Sequence, residues 1–397
     1  MNVNYEPATY DVIVIGGGPA GATAAEALAR HGRAVLLLDR AGRIKPCGGA
    51  VPPRLVRDFA IPDALLKARI GAARIIAPSA RAIDMPIDGG YVGMVDRGEF
   101  DEWLRERAAC AGAVRAHGTF DTLARDADGL AVVHYTAHGD GDRAAHARAR
   151  IVIGADGANS AVARVALPNV AAPPFVSAYH EIIESPAAGF DGARCDVWYQ
   201  GRVSPDFYGW VFPHGAQTSV GVGSAVRGFS LRRATAALRA ASGLADAPLV
   251  RREGAPLPLK PRKRWDNGRD VVVIGDAAGV VAPASGEGIY YAMVSGALAA
   301  EAAHACVSNG DVRELAQVRR RFMREHGRVF FILGIMQRFW YCSDARRERF
   351  VSMCADADVQ RLTWEAYMNK RLVRARPAAH VRIFFKDLAH LLGLAPT

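Results

Sequence analysis

A glycine turn set between a strand and a helix limits the fold of this chain more than any other feature. Asp11 to Ile15 reads as a short buried strand. Gly16-Gly17-Gly18-Pro19-Ala20-Gly21 follows, and Ala20 to His31 reads as a helix. Ala34 to Leu38 reads as a second buried strand, so the unit crosses over into a parallel sheet. In a G-x-G-x-x-G at that place each glycine has a physical reason. Gly16 makes the tight turn, Gly18 lets the backbone approach a pyrophosphate, and Gly21 lets the helix pack closely on the strand. The helix N-terminus at Ala20 then offers unsatisfied N–H groups and partial positive charge to phosphates. Asp39, next to Arg40, ends the second strand. A carboxylate there accepts hydrogen bonds from ribose hydroxyls, although a solvated strand-end aspartate would look the same. The pattern implies a bound dinucleotide.

The other strands are scattered. Val114 to Asp140 reads as strands with polar turns, and Ile151 to Ile153 and Val271 to Ile274 read as further buried strands. A chain of 397 residues favours two domains with an appendage, and the scatter implies that the first is discontinuous. Val176 to Arg264 alternates apolar and polar residues and reads as antiparallel sheet, a suitable wall for a substrate cavity. After Gly286 the pattern is helical almost to the end.

The net charge of +10 suits nucleic acid, an anionic membrane surface or an acidic substrate. Zinc-finger spacing and RNP-like sequence are both missing, so no nucleic acid partner is expected, and no metal site either. The six cysteines form no C-x-x-C pair, and the chain opens on polar residues rather than a basic-then-apolar leader. A cytoplasmic protein without a disulfide framework is therefore expected. No apolar run reaches the roughly 20 residues that span a bilayer.

Two further motifs refine the cofactor. Gly154-Ala155-Asp156-Gly157-Ala158-Asn159-Ser160 lies mid-chain, followed by Arg164. Gly275-Asp276-Ala277-Ala278-Gly279 follows the Val271 strand, with Gly286-Glu287-Gly288 before a helix containing Ala292, Ser295 and Gly296. The ordered set resembles the flavoproteins related to p-hydroxybenzoate hydroxylase, and the resemblance implies FAD. It implies that Gly275 and Asp276 hold the ribitol, and that Gly286, Gly288 and Ile289 lie beside the isoalloxazine. It also implies that Asp156 supports the cofactor turn, and that Arg97, in Arg97-Gly98-Glu99-Phe100-Asp101, contacts the cofactor. The residues alone also allow Asp276 as a helix N-cap and Asp156 as a structural Asp-Gly turn. Gly221-Val222-Gly223 lacks the third glycine of a second dinucleotide site.

Four segments narrow the resemblance. They are Lys45-Pro46-Cys47-Gly48-Gly49, Tyr91-Val92-Gly93-Met94-Val95, Pro205-Asp206-Phe207-Tyr208-Gly209-Trp210-Val211-Phe212-Pro213 and Phe339-Trp340-Tyr341-Cys342-Ser343-Asp344. Together they resemble the geranylgeranyl reductases, and the last resembles the (bacterio)chlorophyll branch. The resemblance implies saturation of three of the four double bonds of a geranylgeranyl chain, giving phytyl. The chain would be carried on (bacterio)chlorophyll or on diphosphate. NADPH is the implied electron donor, with ferredoxin as the alternative. Cys47, with Gly48 and Gly49, would lie beside the flavin as proton donor or proton path, or would be a small buried hydrophobe. Tyr208 would donate a proton or line the cavity, and Trp210 and Phe212 would shape it. On a strand these three rings point to one face, which suits a groove and an ordinary core alike.

The expected architecture is α/β. A discontinuous Rossmann-like FAD-binding domain covers 1–75, 97–170 and 265–310. An inserted antiparallel-sheet substrate domain covers 76–96 and 171–264, and a helical C-terminal region covers 311–397. Peripheral membrane association is expected from two features. One is the basic cluster Arg319, Arg320, Arg321, Arg324 and Arg328 before Val329 to Leu333. The other is a terminal amphipathic helix carrying Val381, Phe384, Phe385, Leu388, Leu391 and Leu392, with Arg382 and Lys386 between them. A flavin-dependent aromatic hydroxylase and a non-catalytic prenyl-lipid carrier are the competing functions.

Overall fold

The computed structural model describes residues 8–40 and 45–370. They divide into two compact units. One holds the chain up to Lys45, Gly98–Phe175 and Leu257–Phe330; the other holds Pro46–Arg97, Val176–Pro256 and the chain from Phe331 on.

In the first unit a parallel ladder runs Val114–Arg125, Val35–Asp39, Thr9–Ile15, Arg143–Gly154, Val271–Val273. Strand Ala131–Ala137 pairs antiparallel with the far portions of the two long strands, Val114–Arg125 and Arg143–Gly154. The central parts of the inner strands are apolar, as strands covered on both faces must be: Val12, Ile13 and Val14 are fully buried. Helices Pro19–Arg30 and Ile289–Asn309 cross at close range. A Cβ added at Gly296 would lie 2.3 Å from the Ala20 carbonyl oxygen, so only glycine permits this approach.

The second unit is built on a seven-stranded sheet. Its order is Leu249–Pro258, Phe175–Glu184, Gln217–Ser224, Gly209–His214, Arg194–Trp198, Ala72–Ile76, Ala82–Pro86. The four strands from Phe175–Glu184 to Arg194–Trp198 pair antiparallel, whereas Arg194–Trp198 and Ala72–Ile76 are parallel. Helix Leu231–Ala241 covers one face, where Ile183, Val211, Val220, Val222 and Leu238 form a core. A small sheet of Ala50–Val51, Val92–Val95 and Leu66–Ile70 belongs to the same unit.

The α/β class, the dinucleotide-type sheet, the antiparallel sheet and the late helices agree with expectation. The boundaries differ. Residues 46–75, expected in the first domain, lie in the second unit, because Ala72–Ile76 is hydrogen-bonded into the sheet through Arg194–Trp198 and Leu66–Ile70 pairs with Val92–Val95. The expected 311–397 region is not separate. Helix Leu315–Trp340 is divided between the units at Phe330, and Asp344–Met353 and Ala357–Asn369 belong to the second. The expected terminal helix from Val381 to Leu392 lies outside the described residues. Among the described residues no helix is long and apolar enough to cross a membrane.

Candidate functional site

In the first unit the glycine turn is held by backbone. Gly16 adopts φ 106°, and a Cβ there would lie 2.3 Å from the Ala155 oxygen. Ala155 N donates to the Ile15 carbonyl at 2.7 Å, so the Gly154–Asp156 segment is packed directly against the turn. A Cβ at Gly21 would lie 1.9 Å from the Gly16 oxygen. At Gly18 the reverse holds: φ is an ordinary −74°, and a Cβ would meet no protein atom within 4 Å. Gly18 is the N-cap of helix Pro19–Arg30, which has no side-chain cap. Uncapped first-turn amides beside open space suit a phosphate.

Asp39 sits at the end of its strand. Its Oδ1 accepts from Gly17 N at 3.0 Å, and its Oδ2 lies 3.2 Å from Arg105 Nη1. Arg105 also donates to the Gly17 carbonyl at 3.2 Å and pairs with Glu102 at 2.7 Å. The carboxylate is thus held in one orientation at the strand end. Arg40 follows, exposed. Sequence reading missed Arg105, since no spacing rule links a position in helix Arg97–Cys110 to a strand-end aspartate.

Asp276 lies in the turn Gly275–Ala278, its side chain 4% exposed. Its Oδ2 is 2.6 Å from Lys45 Nζ, which compensates a buried carboxylate. A Cβ at Gly288 would lie 3.7 Å from its Oδ1, so Asp276 and the Gly286–Gly288 loop are brought together. Gly288 is the N-cap of helix Ile289–Asn309, without a side-chain cap, and Ile289 is buried. Gly286 takes φ 68°, and Ala284 takes φ 61° although it carries a Cβ, so the loop stores some backbone strain. Gly275 N donates to Ser295 Oγ at 2.9 Å, and a Cβ at Gly275 would lie 2.8 Å from the Ala20 Cβ. The glycine turn and the Gly-Asp turn are therefore neighbours. Lys45 stood within a recognised segment, but nothing in the sequence marked it as the partner of Asp276.

Asp156 has local employment. It accepts from Ser160 Oγ at 2.6 Å, Ala161 N at 2.6 Å and Val162 N at 3.1 Å, tying the start of helix Ala161–Ala166 to the loop beneath the glycine turn. Arg97 opens helix Arg97–Cys110 and is buried.

In the second unit, Gly49 N donates to Cys47 Sγ at 3.3 Å, which fixes the thiol rotamer. Gly49 adopts φ 70°, and a Cβ there would lie 2.5 Å from both His214 Nε2 and the Val95 oxygen. A Cβ at Gly48 would lie 3.1 Å from the Phe212 ring. The Cys47 loop thus lies against strand Gly209–His214, and burial lowers the pKa of the His214 imidazole. Tyr208, Trp210 and Phe212 follow one another with ring centroids 6.1 and 6.2 Å apart, on the face opposite Val211 and its helix-side core. Tyr208 also stacks on Phe207 at 4.2 Å. The late aromatic segment has a packing role. Tyr341 Oη lies 3.1 Å from Tyr199 Oη, and burial raises both phenols well above their ordinary pKa.

The basic cluster separates into two sets. Arg319 donates to the Arg262 carbonyl at 2.9 Å and Arg321 pairs with Glu301 at 2.6 Å. Arg320, Arg324 and Arg328 are exposed, as is Arg338. Between the last two lie Phe331, 69% exposed, Ile332 and Ile335, 53% exposed. Among the described residues no group of three or more His, Cys, Asp or Glu is placed to hold a metal ion.

Comparison with known proteins adds to this geometry. A family model described as pyridine nucleotide-disulphide oxidoreductase matches residues 10–111, the span containing the glycine turn and Asp39. The chain is 56% identical over 389 residues to a geranylgeranyl diphosphate reductase of Rhodobacter capsulatus, covering 98% of each. It is 36% identical over 407 residues to one of Synechocystis, covering 97% of this chain and 99% of the other. It is 32% identical over 324 residues to a digeranylgeranylglycerophospholipid reductase of Methanoculleus marisnigri, covering 76% and 78%. Among solved structures, a geranylgeranyl bacteriochlorophyll reductase-like protein of Thermoplasma acidophilum superposes with TM-score 0.80 at 21% identity, covering 94% of this chain and 99% of that one. A flavin-dependent brominase superposes with TM-score 0.76 at 17% identity, covering 96% and 100%. At those identities the structures share the fold.

Proposed function

The chain belongs to the geranylgeranyl diphosphate reductase family, and from that premise we propose that it is the FAD-dependent reductase that converts a geranylgeranyl chain to phytyl in (bacterio)chlorophyll biosynthesis. The observation that carries this reading is 56% identity to such a reductase across 98% of both chains.

The residues present fit FAD. The uncapped amides after Gly18 would take the pyrophosphate, Asp39 would take the ribose hydroxyls, and Asp276, with Lys45 beside it, would take the ribitol. Gly288 lies beside Asp276, and with Gly286 and Ile289 it would hold the flavin end. Asp156 would support that set through the turn it ties down, and the family resemblance assigns Arg97 to it. Reduced FAD supplies hydride equivalents.

An isolated trisubstituted alkene accepts hydride poorly, because nothing stabilises the developing charge. The protein's task is to deliver a proton to one alkene carbon while the other takes hydride. We assign that proton to the Cys47 thiol, whose sulfur is fixed by the Gly49 amide, with solvent returning the proton afterwards. Tyr208, Trp210 and Phe212 line the apolar path for the prenyl chain. NADPH visits to deliver electrons.

A prenyl substrate is carried at a membrane surface. The exposed residues Arg324, Arg328, Phe331, Ile335 and Arg338 recur three or four positions apart on one helix face, apolar at the centre and cationic at both ends, as an anionic interface favours.

The test is anaerobic turnover with geranylgeranyl diphosphate and with geranylgeranylated pigment, each with NADPH and with reduced ferredoxin. Stepwise dihydro, tetrahydro and hexahydro products with NADPH are expected. Product that forms only with oxygen would indicate a hydroxylase, and purified protein lacking flavin absorption would indicate a carrier.

A further inference from the structure

The second unit contains a buried polar chain that no step above uses. Trp210 Nε1 donates to Ser219 Oγ at 3.0 Å. Ser219 Oγ lies 2.8 Å from His180 Nδ1, and His180 Nε2 lies 3.0 Å from Glu253 Oε2. Arg251 Nε closes the chain on Glu253 Oε1 at 2.6 Å, and its Nη2 lies 3.3 Å from Asp96. Ser219 is wholly buried, and His180 and Trp210 nearly so.

Sheet register explains the assembly. Gly221 lies directly opposite His180 on one neighbouring strand and directly opposite Trp210 on the other. Ser219, two residues away on the same face, is diagonal to both. A Cβ at Gly221 would lie 2.3 Å from Trp210 Cζ2 and 2.5 Å from the His180 Cβ, so the indole rests on bare backbone.

Donor counting fixes the direction of the indole bond. The indole has one N–H and no acceptor, so it donates to Ser219. The bond between Ser219 Oγ and His180 Nδ1 takes its direction from the imidazole tautomer, and His180 Nε2 meets Glu253 as a close polar contact rather than an aligned hydrogen bond. Burial alone would raise the pKa of Glu253, but His180 and Arg251 outweigh it and hold the carboxyl below its ordinary value, so it stands as an ionised acceptor. Serine, histidine and glutamate in this order would suggest a hydrolytic triad. That is excluded, since Ser219 Oγ is shielded from solvent and already accepts the indole N–H.

We propose that Ser219, His180 and Glu253 are positioning residues that lock the Trp210 indole in one orientation, and that this locked ring sets how many double bonds of a geranylgeranyl chain are saturated. The inference rests on the prenyl-reductase reading above. Successive reductions require the same chain to be presented at successive depths, so each later step tests the wall more severely than the first. A ring pinned through its N–H and seated on glycine presents one wall. A ring free to turn closes part of the path and releases partly reduced chains.

The experiment is a double-mutant cycle read by product distribution. Ser219→Ala is expected to reduce the hexahydro fraction about five-fold, equivalent to about 1 kcal/mol, the net contribution of one hydrogen bond. The kcat/KM for the first double bond and the flavin content stay within about two-fold of wild type, the scatter of a substitution that leaves both sites intact. Trp210→Phe shifts the pattern in the same direction, and Ser219→Ala added to Trp210→Phe shifts it no further, because the serine acts through the indole N–H. In ¹⁵N-tryptophan-labelled protein, Ser219→Ala and His180→Gln move the Trp210 indole N–H resonance without substrate. If Ser219→Ala does not fold, His180→Gln carries the same expectation. Additive effects, or an unaltered product pattern in folded variants of a wild type that does reduce the chain, overturn the inference. A wild type that reduces no prenyl substrate overturns the reaction reading itself, and the inference with it.

Discussion

Gly18 and Gly21 separate cofactor recognition from folding, although both belong to one motif. At Gly18 the backbone is extended, φ −74° and ψ −176°, and a Cβ would meet no protein atom within 4 Å. Gly18→Ala is therefore expected to leave the apoprotein intact, and to stabilise it by about 0.4–1 kcal/mol through the smaller entropy of the unfolded chain. The added methyl would occupy the space proposed above for the pyrophosphate. Overpacking of one methyl costs about 1–3 kcal/mol, which weakens FAD binding roughly 5- to 150-fold. At Gly21 a Cβ would lie 1.9 Å from the Gly16 oxygen and 3.0 Å from the Ala155 Cβ, both within the protein. Gly21→Ala is expected to place a cost of the same order, or greater, on the apoprotein itself. Titration of deflavinated protein with FAD, read by flavin fluorescence, gives the affinities, and thermal denaturation without FAD gives the stabilities. Wild-type FAD affinity in Gly18→Ala would refute the placement of the pyrophosphate. Unchanged apo stability in Gly21→Ala would refute the packing argument.

Three other outcomes follow from particular contacts. Cys47→Ala is expected to retain FAD and to lose alkene reduction, and full turnover by that variant removes Cys47 from the mechanism. Arg105→Met releases Asp39 from its charged partner and is expected to raise the FAD dissociation constant about ten-fold, within the range of a charge-assisted hydrogen bond, with the change checked by the same titration. Phe331→Ser combined with Ile335→Ser is expected to reduce co-sedimentation with phosphatidylglycerol vesicles while leaving turnover of detergent-dispersed substrate intact. Binding by the wild type should weaken as salt rises through about 0.1–0.5 M, and salt-independent binding would count against an anionic interface.

The turns proposed to hold the cofactor were legible because backbone geometry dictates residue type there. Gly16, Gly21 and Gly275 each stand where a Cβ would strike a fixed atom, and Asp39 and Asp276 follow strands that end at the same edge. The partners of those aspartates were not legible. Lys45 and Arg105 are long side chains whose reach is unrelated to their sequence spacing, and the basic residues are numerous. The buried chain under Trp210 left still less trace. His180, Ser219 and Glu253 stand on three strands, and only the pairing His180 to Gly221 and Phe212 to Ser219 brings the first two to the indole. A slip of one residue would have turned them to the helix-covered face. The misplaced boundary at residues 46–75 has the same origin, since strand partners distant in sequence decided which sheet Ala72–Ile76 joined.

Net charge was the weakest guide, for a physical reason. A count of +10 treats each arginine as a surface cation, yet much of this basic content holds the interior together. Arg262 donates to the Ala277 carbonyl at 2.7 Å behind the Gly-Asp turn, and Arg239 is tied to Glu181 at 2.7 Å and to the carbonyls of Leu244, Ala245 and Ala247 in the loop after its helix. Of the basic cluster, Arg319 is tied to a backbone carbonyl and Arg321 is paired at the surface with Glu301. The exposed cations around Phe331 and Ile335 concern a surface because they share a helix face with exposed apolar side chains, not because the chain is basic. A guanidinium paired with a carboxylate exerts little field outside the fold, and one tied to a backbone carbonyl is held away from a lipid headgroup, so the arginines to perturb in a membrane assay are Arg324, Arg328 and Arg338.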